Sequence, residues 1–292
     1  MISFWVLLAL LSAFSLATSD ALSKKAVENN NEYLTAWFRL IFALPLLLLV
    51  FFSVPIPRLD NDFFKAFFIS LPVELLTIVL YIKALKSSPL SLTLPFLALT
   101  SIFLIFFSYF ILGEKVSFYG GTGIFFIASG SYLLNINEIR KGIFAPLMSI
   151  KGEKGSILMI CVALLYSITS SFGKMAIEHS SPLFFGTTYF FALAIFFTPI
   201  ALWKGKDDLR NFMNTGKFKS LFLPGIFYSI MVITHMTAMH LTKVAYMISV
   251  KRTSLLIGVF YGYIIFKEKN IKNRALGAVL MFIGFVLVVS AK

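Results

Sequence analysis

Glu74, Thr77 and Tyr81 lie at i, i+3 and i+7 of a run that is otherwise almost wholly apolar. On one helix those spacings put a carboxyl, a hydroxyl and a phenol on a single face. A carboxylate is costly to keep in such surroundings, so Glu74 reads either as a proton or substrate site or as half of a structural ion pair. A second group is basic. Ser249, Arg252 and Thr253 recur at helical spacing in another apolar run, with Lys251 beside them. The planar guanidinium of Arg252 suits a two-pronged grip on a carboxylate or phosphate, or a pairing with Glu74 when no anion is bound. Lys251 is a point charge on a flexible stem and is expected to reach outward along that stem to the nearest polar surface. The same outward reading is favoured for Arg39, near the start of its run. Asp20 has Lys24 at i+4 and is expected to balance it. Beside Asp20 runs a stripe of Ser12, Ser15, Ser19 and Ser23, for which close packing is the first explanation and a water-lined wall the second.

Several chemistries are missing. There is no Gly-rich phosphate loop ending in Gly-Lys-Ser/Thr and no His-Glu-x-x-His. His235 and His240 are five apart and fall on different faces of a helix, which spoils a metal site. No Ser–His or paired-Asp arrangement is legible. Cys161 is the single cysteine, sits in an apolar run and reads as a small packing residue. The expectation is a protein that is not an enzyme and needs neither cofactor nor metal.

The elements that position these groups follow from composition. Of 292 residues, 59% are hydrophobic and 13% charged, against roughly 45–50% and 25% in soluble domains. One aqueous core cannot hide that much apolar surface, so lipid is the expected solvent. Windows of about 20 apolar residues give ten candidate spans near 2–22, 33–53, 63–85, 89–112, 117–135, 156–176, 183–203, 219–241, 244–266 and 272–290. Pro45, Pro72, Pro95 and Pro199 fall inside spans, where neighbouring helices can re-satisfy freed carbonyls. The first run has no Lys or Arg between Met1 and Ala9, so it reads as a helix rather than a cleaved leader.

The formal net charge of +13 resides mostly in the short gaps between spans. That placement sets nucleic acid aside as a partner, since no basic face with polar or aromatic contacts remains. The loops after odd-numbered spans hold 17 Lys and Arg, and those on the opposite side 6. These are called the basic side and the far side below. By charge alone the basic side is cytoplasmic and both termini are outside.

The chain repeats itself. At an offset of 154, Phe64-Lys65 matches Phe218-Lys219, Ala84 matches Ala238, Glu114-Lys115 matches Glu268-Lys269, and Gly123 and Gly130 match Gly277 and Gly284. At an offset of 150, Lys24, Ala26 and Glu28 match Lys174, Ala176 and Glu178. The larger offset carries Glu74 and Tyr81 onto Tyr228 and His235, so the two halves present related polar faces. Tyr166, Thr169, Ser170 and Gly173 in the sixth span answer the serine stripe of the first. Five spans per half is odd, so the second half enters the membrane from the other side. An inverted repeat of this kind suits a transporter with a site near the midplane. The glycines, seven apart on one face of the fifth and tenth spans, read as a close helix crossing that also suits a dimer. Glu114 and Glu268, at helix ends next to Lys, read as caps or as surface pairs.

The run Phe110-Ile111-Leu112-Gly113-Glu114-Lys115 with Gly123 and Gly130, and Phe266-Lys267-Glu268-Lys269 with Gly277 and Gly284, resemble the end of each EamA-type repeat. Ala36-Trp37-Phe38-Arg39-Leu40 and the Lys24 and Lys174 positions are similar to that family too. The whole chain thus resembles the ten-helix drug/metabolite transporter superfamily. The resemblance implies transport of a small metabolite or drug, often export, through a cavity between the halves. It also implies cytoplasmic termini, opposite to the charge count.

The expected fold is an all-α integral membrane protein, ten transmembrane helices as two inverted five-helix repeats. Residues 1–135 form the first, 136–155 a basic linker and 156–292 the second. The expected function is secondary active transport of a small-molecule substrate across the cell membrane, with protons as a candidate coupling ion and lipid as the surroundings. The working unit is a monomer or a homodimer. A non-transporting scaffold and a passive channel are the alternatives. The candidate substrate or coupling residues are Glu74, Thr77, Tyr81, Tyr228, His235, Arg252, Thr253, Asp20 and Arg39.

Overall fold

The computed structural model describes residues 3–27, 31–87, 94–134, 154–266 and 275–291. Within them the regular structure is helical throughout. The first half contains α1 (Phe4–Val27), α2 (Glu32–Ser53), α3 (Asn61–Ser87), a 3-10 segment (Leu94–Ala98) running into α4 (Leu99–Leu112), and α5 (Phe118–Leu133). The second contains α6 (Lys154–Glu178), α7 (Pro182–Lys204), a short surface helix α8 (Lys206–Asn214) and α9 (Phe222–Leu241), preceded by a 3-10 turn. It ends with α10 (Val244–Lys251), α11 (Ser254–Phe266) and α12 (Ala275–Ser290). The expected linker falls outside the described residues up to residue 153, as do Glu28, Glu268 and Lys269. The Lys24 side chain is outside them as well.

Among the described residues seven stretches are long and apolar enough to cross a membrane, α10 and α11 together forming one of them. The other three expected spans correspond to shorter apolar helices: Phe96–Leu112, Leu276–Ser290 and the 16 residues of α5. At 1.5 Å per residue, 16 residues reach about 24 Å, short of a hydrocarbon core of about 30 Å. Pro45, Pro72 and Pro199 lie inside continuous helices, whereas Pro95 lies in the 3-10 segment.

Packing follows the repeat. α1 lies along α9, and its counterpart α6 lies along α3. α6 also packs on α4, as α1 does on α10 and α11. α2 pairs with α7, and α5 with α12. Exchanging the halves reproduces this pattern of neighbours. The serine stripe is part of it: Ser12, Ser15 and Ser19 are fully buried, and Ser12 and Ser19 donate to the Met231 and Pro224 carbonyls of α9 at 3.4 and 2.9 Å. Packing, with hydrogen bonds that lipid cannot supply, accounts for them. Cys161 departs from expectation, since it is exposed on the outside of α6 rather than packed.

The α5–α12 crossing rests on reciprocal glycines. A Cβ on Gly123 would stand 2.7 Å from the Gly284 carbonyl oxygen, and one on Gly284 2.6 Å from that of Gly123. Gly130 and Gly277 repeat the arrangement at 2.6 Å in both directions. The glycine faces that suited a dimer are therefore consumed inside the chain, with backbone against backbone. Gly130→Ala is expected to lower thermal stability by about 1–3 kcal/mol, the usual cost of overpacking, and Gly258→Ala to leave it unchanged. Gly258 has open space around it. Melting followed by size-exclusion chromatography in detergent checks both.

Candidate functional site

Both fourth spans change helical form at the same repeat position. The 3-10 segment gives way to α4 between Ala98 and Leu99, and α10 gives way to α11 through Arg252 and Thr253. The offset of 154 superposes these two junctions. A helix that ends inside a membrane leaves carbonyls without i+4 partners. At the end of α10 the Arg252 N–H turns back to the carbonyls of Ile248 and Ser249, each at 3.1 Å, and Thr253 N–H to Val250 at 3.0 Å. Lys251 and Arg252 add positive charge at the C-terminal pole, where the helix dipole favours it.

Around that junction the polar groups of both halves meet. Lys251 Nζ lies 3.2 Å from His235 Nδ1 and 3.3 Å from the Met231 sulfur, both on α9. It does not run outward along its stem as expected, because the break aims the residue inward. Glu74 of α3 faces Thr169 of α6 and lies within electrostatic reach of Lys251. Tyr166, Tyr189 and Tyr228 all sense its charge. Among the described residues no direct ion pair joins Glu74 to Arg252, which was one expected pairing. The Arg252 guanidinium has Tyr81 and Tyr166 as electrostatic neighbours, and its buried Nε has no hydrogen-bond partner.

Toward the basic side the cluster ends in a second pair. Arg39 Nη1 lies 2.6 Å from Asp20 Oδ1, with the guanidinium stacked 4.6 Å above the Tyr228 ring. Arg39 is thus turned inward rather than snorkelling, and Asp20 answers Arg39. The Asp20 side chain is 52% exposed, against 22% for Arg39. Tyr81 lies within reach of Asp20, Arg39 and Arg252 and links the two groups.

Two candidates stand apart. Thr77 is fully buried and its hydroxyl is spent on the Val73 carbonyl of its own helix at 2.6 Å. Thr253 likewise donates to Val250 at 2.8 Å, although it remains partly exposed at the junction. Lys251 and Tyr166 belong to the cluster but were outside the candidate set. The signal that could have found Lys251 is its repeat position, which matches the Pro95 neighbourhood where a helix is expected to break.

The far side is tied shut between the halves. The Glu114 carboxylate, pushed up by burial and pulled back by this contact, accepts the Val244 N–H at 2.9 Å and so caps α10. The Tyr246 hydroxyl accepts from Ser117 N–H at 3.0 Å. Asp60 caps α3 through Phe63 N–H at 2.9 Å and meets His179 Nδ1 at 2.6 Å. The Phe63 amide and then His179 hold Asp60 below the usual carboxylate range. Lys174, nearly buried, donates to the last carbonyls of α9, Met239 at 2.7 Å and His240 at 3.2 Å, and pairs with Glu178 at 3.2 Å. Phe51, Phe63, Phe67, Phe184, Phe185 and Tyr189 pack ring against ring just beneath.

The EamA-like transporter family matches residues 3–136 and 153–290, once for each half. The chain belongs to that family. It is a membrane transporter by that membership, multi-pass by its apolar helices. A solved crystal structure of a protein, 13% identical, is similar with a TM-score of 0.75 over 98% of this chain and 96% of that one. At that identity the likeness speaks for the fold alone. No curated protein sequence matches.

With Cys161 replaced by Ser, a cysteine at Tyr81 is expected to react with a membrane-impermeant maleimide applied from the side that carries Asp20. A cysteine at Thr77 is expected to stay protected. Mass spectrometry of labelled protein reads both. Equal protection at the two positions would mean a closed scaffold rather than a polar passage.

Proposed function

We propose that this EamA-family member is a secondary active exporter of a small metabolite in the cell membrane, working by alternating access and coupled to protons through Glu74. The observation that supports it is the convergence of partly buried polar groups from both repeats on the α10–α11 junction, at a repeat position where the first half also changes helix type. Discontinuous helices of an inverted repeat are where secondary transporters place their substrate and ion sites. The far-side ties and the exposed Asp20–Arg39 pair correspond, in this reading, to a state open toward the basic side. Rocking of one half against the other would break the Glu114–Val244 and Ser117–Tyr246 contacts and open the far side. The α5–α12 crossing would stay in register as the axis. Each chain carries a whole pathway, so a monomer suffices.

Glu74 fits the coupling role because it is membrane-embedded, only partly buried, and lies near Lys251 without a direct ion pair among the described residues. Metabolite profiles of medium and cytosol from cells with wild type, Glu74→Gln and empty vector test the reading. One chemical class is expected to accumulate in the medium with wild type only. Identical profiles in all three would count against export. Export by Glu74→Gln with unaltered rate and pH dependence would remove proton coupling while leaving transport in place.

A further inference from the structure

Among the described residues the interior charges do not balance. Arg39 is matched by Asp20 in direct contact. Lys251 and Glu74 lie within electrostatic reach of each other, and Lys251 rests on His235. That leaves Arg252. The groups of opposite tendency near it are the phenols of Tyr81 and Tyr166, and neither is a carboxylate. Its other close neighbours, Lys251 and His235, supply no negative charge. A partly buried guanidinium whose Nε is buried without a partner among the described residues is expensive to hold in a membrane and calls for an anion. The α10 dipole helps to keep the cation there, yet it supplies no hydrogen-bond acceptor for Nε.

We infer that Arg252 is the anchor for one negative charge on the transported molecule, which is a small monocarboxylate with an apolar or aromatic body and no free amino group. This rests on the transporter reading above and names its substrate class. The carboxylate matches the guanidinium fork in shape and cancels the single uncompensated charge. Tyr81, Tyr166 and Tyr228, from three different helices, offer flat walls with polar edges for the body. A zwitterion would bring an ammonium group whose natural partner, Glu74, is already within the field of Lys251. A dianion would leave one charge unmatched. The anchor belongs to the second repeat alone, because Leu97 and Ala98 hold the equivalent positions of the first.

Purified full-length protein in detergent is tested by scintillation-proximity binding with radiolabelled benzoate and phenylacetate. Phenylacetamide and phenylalanine serve as competitors. Saturable binding is expected, displaced by either acid but not by the amide or the amino acid. Arg252→Lys, which keeps the charge and loses the fork, is expected to bind about ten- to hundredfold more weakly. Lys65→Gln, at an exposed position near the start of α3, is expected to retain binding within a few-fold. Thermal melting establishes that each variant is folded. Arg252→Gln that is folded and binds like wild type would overturn the assignment. So would competition by phenylalanine equal to that by the acids, or failure of both acids to bind folded wild type. If the acids fail to bind while metabolite profiling still shows an exported class, this inference falls and the transporter reading stands. If profiling shows nothing either, both fall.

Discussion

A helix that stops part-way through a bilayer exposes carbonyls where no water can reach them, and much of this structure answers that problem. Closed helices satisfy the backbone internally, which is why spans of 20 or more residues are the default in lipid. The fourth span of each half departs from this default at the same repeat position. At the end of α10 the freed carbonyls are met by N–H groups that fold back from Arg252 and Thr253, and by two cations at the dipole's negative pole. The remaining interior polar groups can then be read as consequences. Lys251 needs an acceptor and finds His235. Its field steadies Glu74, whose carboxylate would otherwise be isolated between Thr169 and the tyrosines. Irregular backbone is tolerated at membrane depth only where protein or a polar passage surrounds it, so the breaks and the polar cluster require each other.

The rest of the fold separates what holds still from what can move. Backbone-to-backbone contact at Gly123–Gly284 and Gly130–Gly277, flanked by Ile127, Met281 and Val288, leaves no room for sliding. The far side is held differently. Glu114 capping α10, Ser117 on Tyr246 and Asp60 on His179 are single polar contacts between groups at helix ends, which can exchange with water at little cost. A structure built this way has one dense crossing and one latch. Lys174 is a stay of another kind. It secures the end of α9 from within its own half and so need not change when the halves move relative to one another.

Much of this could be read from residues alone, because the relevant signals are local. Hydropathy marks spans, identical glycines seven apart mark the crossing, and the offset of 154 marks the inverted repeat. The expected ten spans divide into seven of full length and three shorter helices, α4, α5 and α12, among the described residues. What was misread shares one cause. Arg39 and Lys251 were assigned to the membrane surface from their distance along a straight helix. The break redirects Lys251, and Asp20 draws Arg39 inward across a helix boundary. Thr77 was placed on the polar face by spacing, yet a threonine in a helix can turn its hydroxyl to the preceding carbonyl and present only a methyl. Side-chain direction at such positions depends on neighbours that a periodicity does not contain.

The two halves agree on mechanics and differ on chemistry. The same junction occurs in each, with matching neighbours, as a rocking motion between equivalent states demands. The charges do not follow that symmetry. Lys251 and Arg252 face Leu97 and Ala98 as repeat partners, and Glu74 faces Tyr228. With Lys251 and Arg252 on one half and Glu74 on the other, these groups are pulled together across the very boundary that must open. Neutralising one of these charges, by a proton on Glu74 or an anion on Arg252, weakens that attraction. Charge asymmetry within a symmetric frame is therefore a direct physical route by which binding could govern movement.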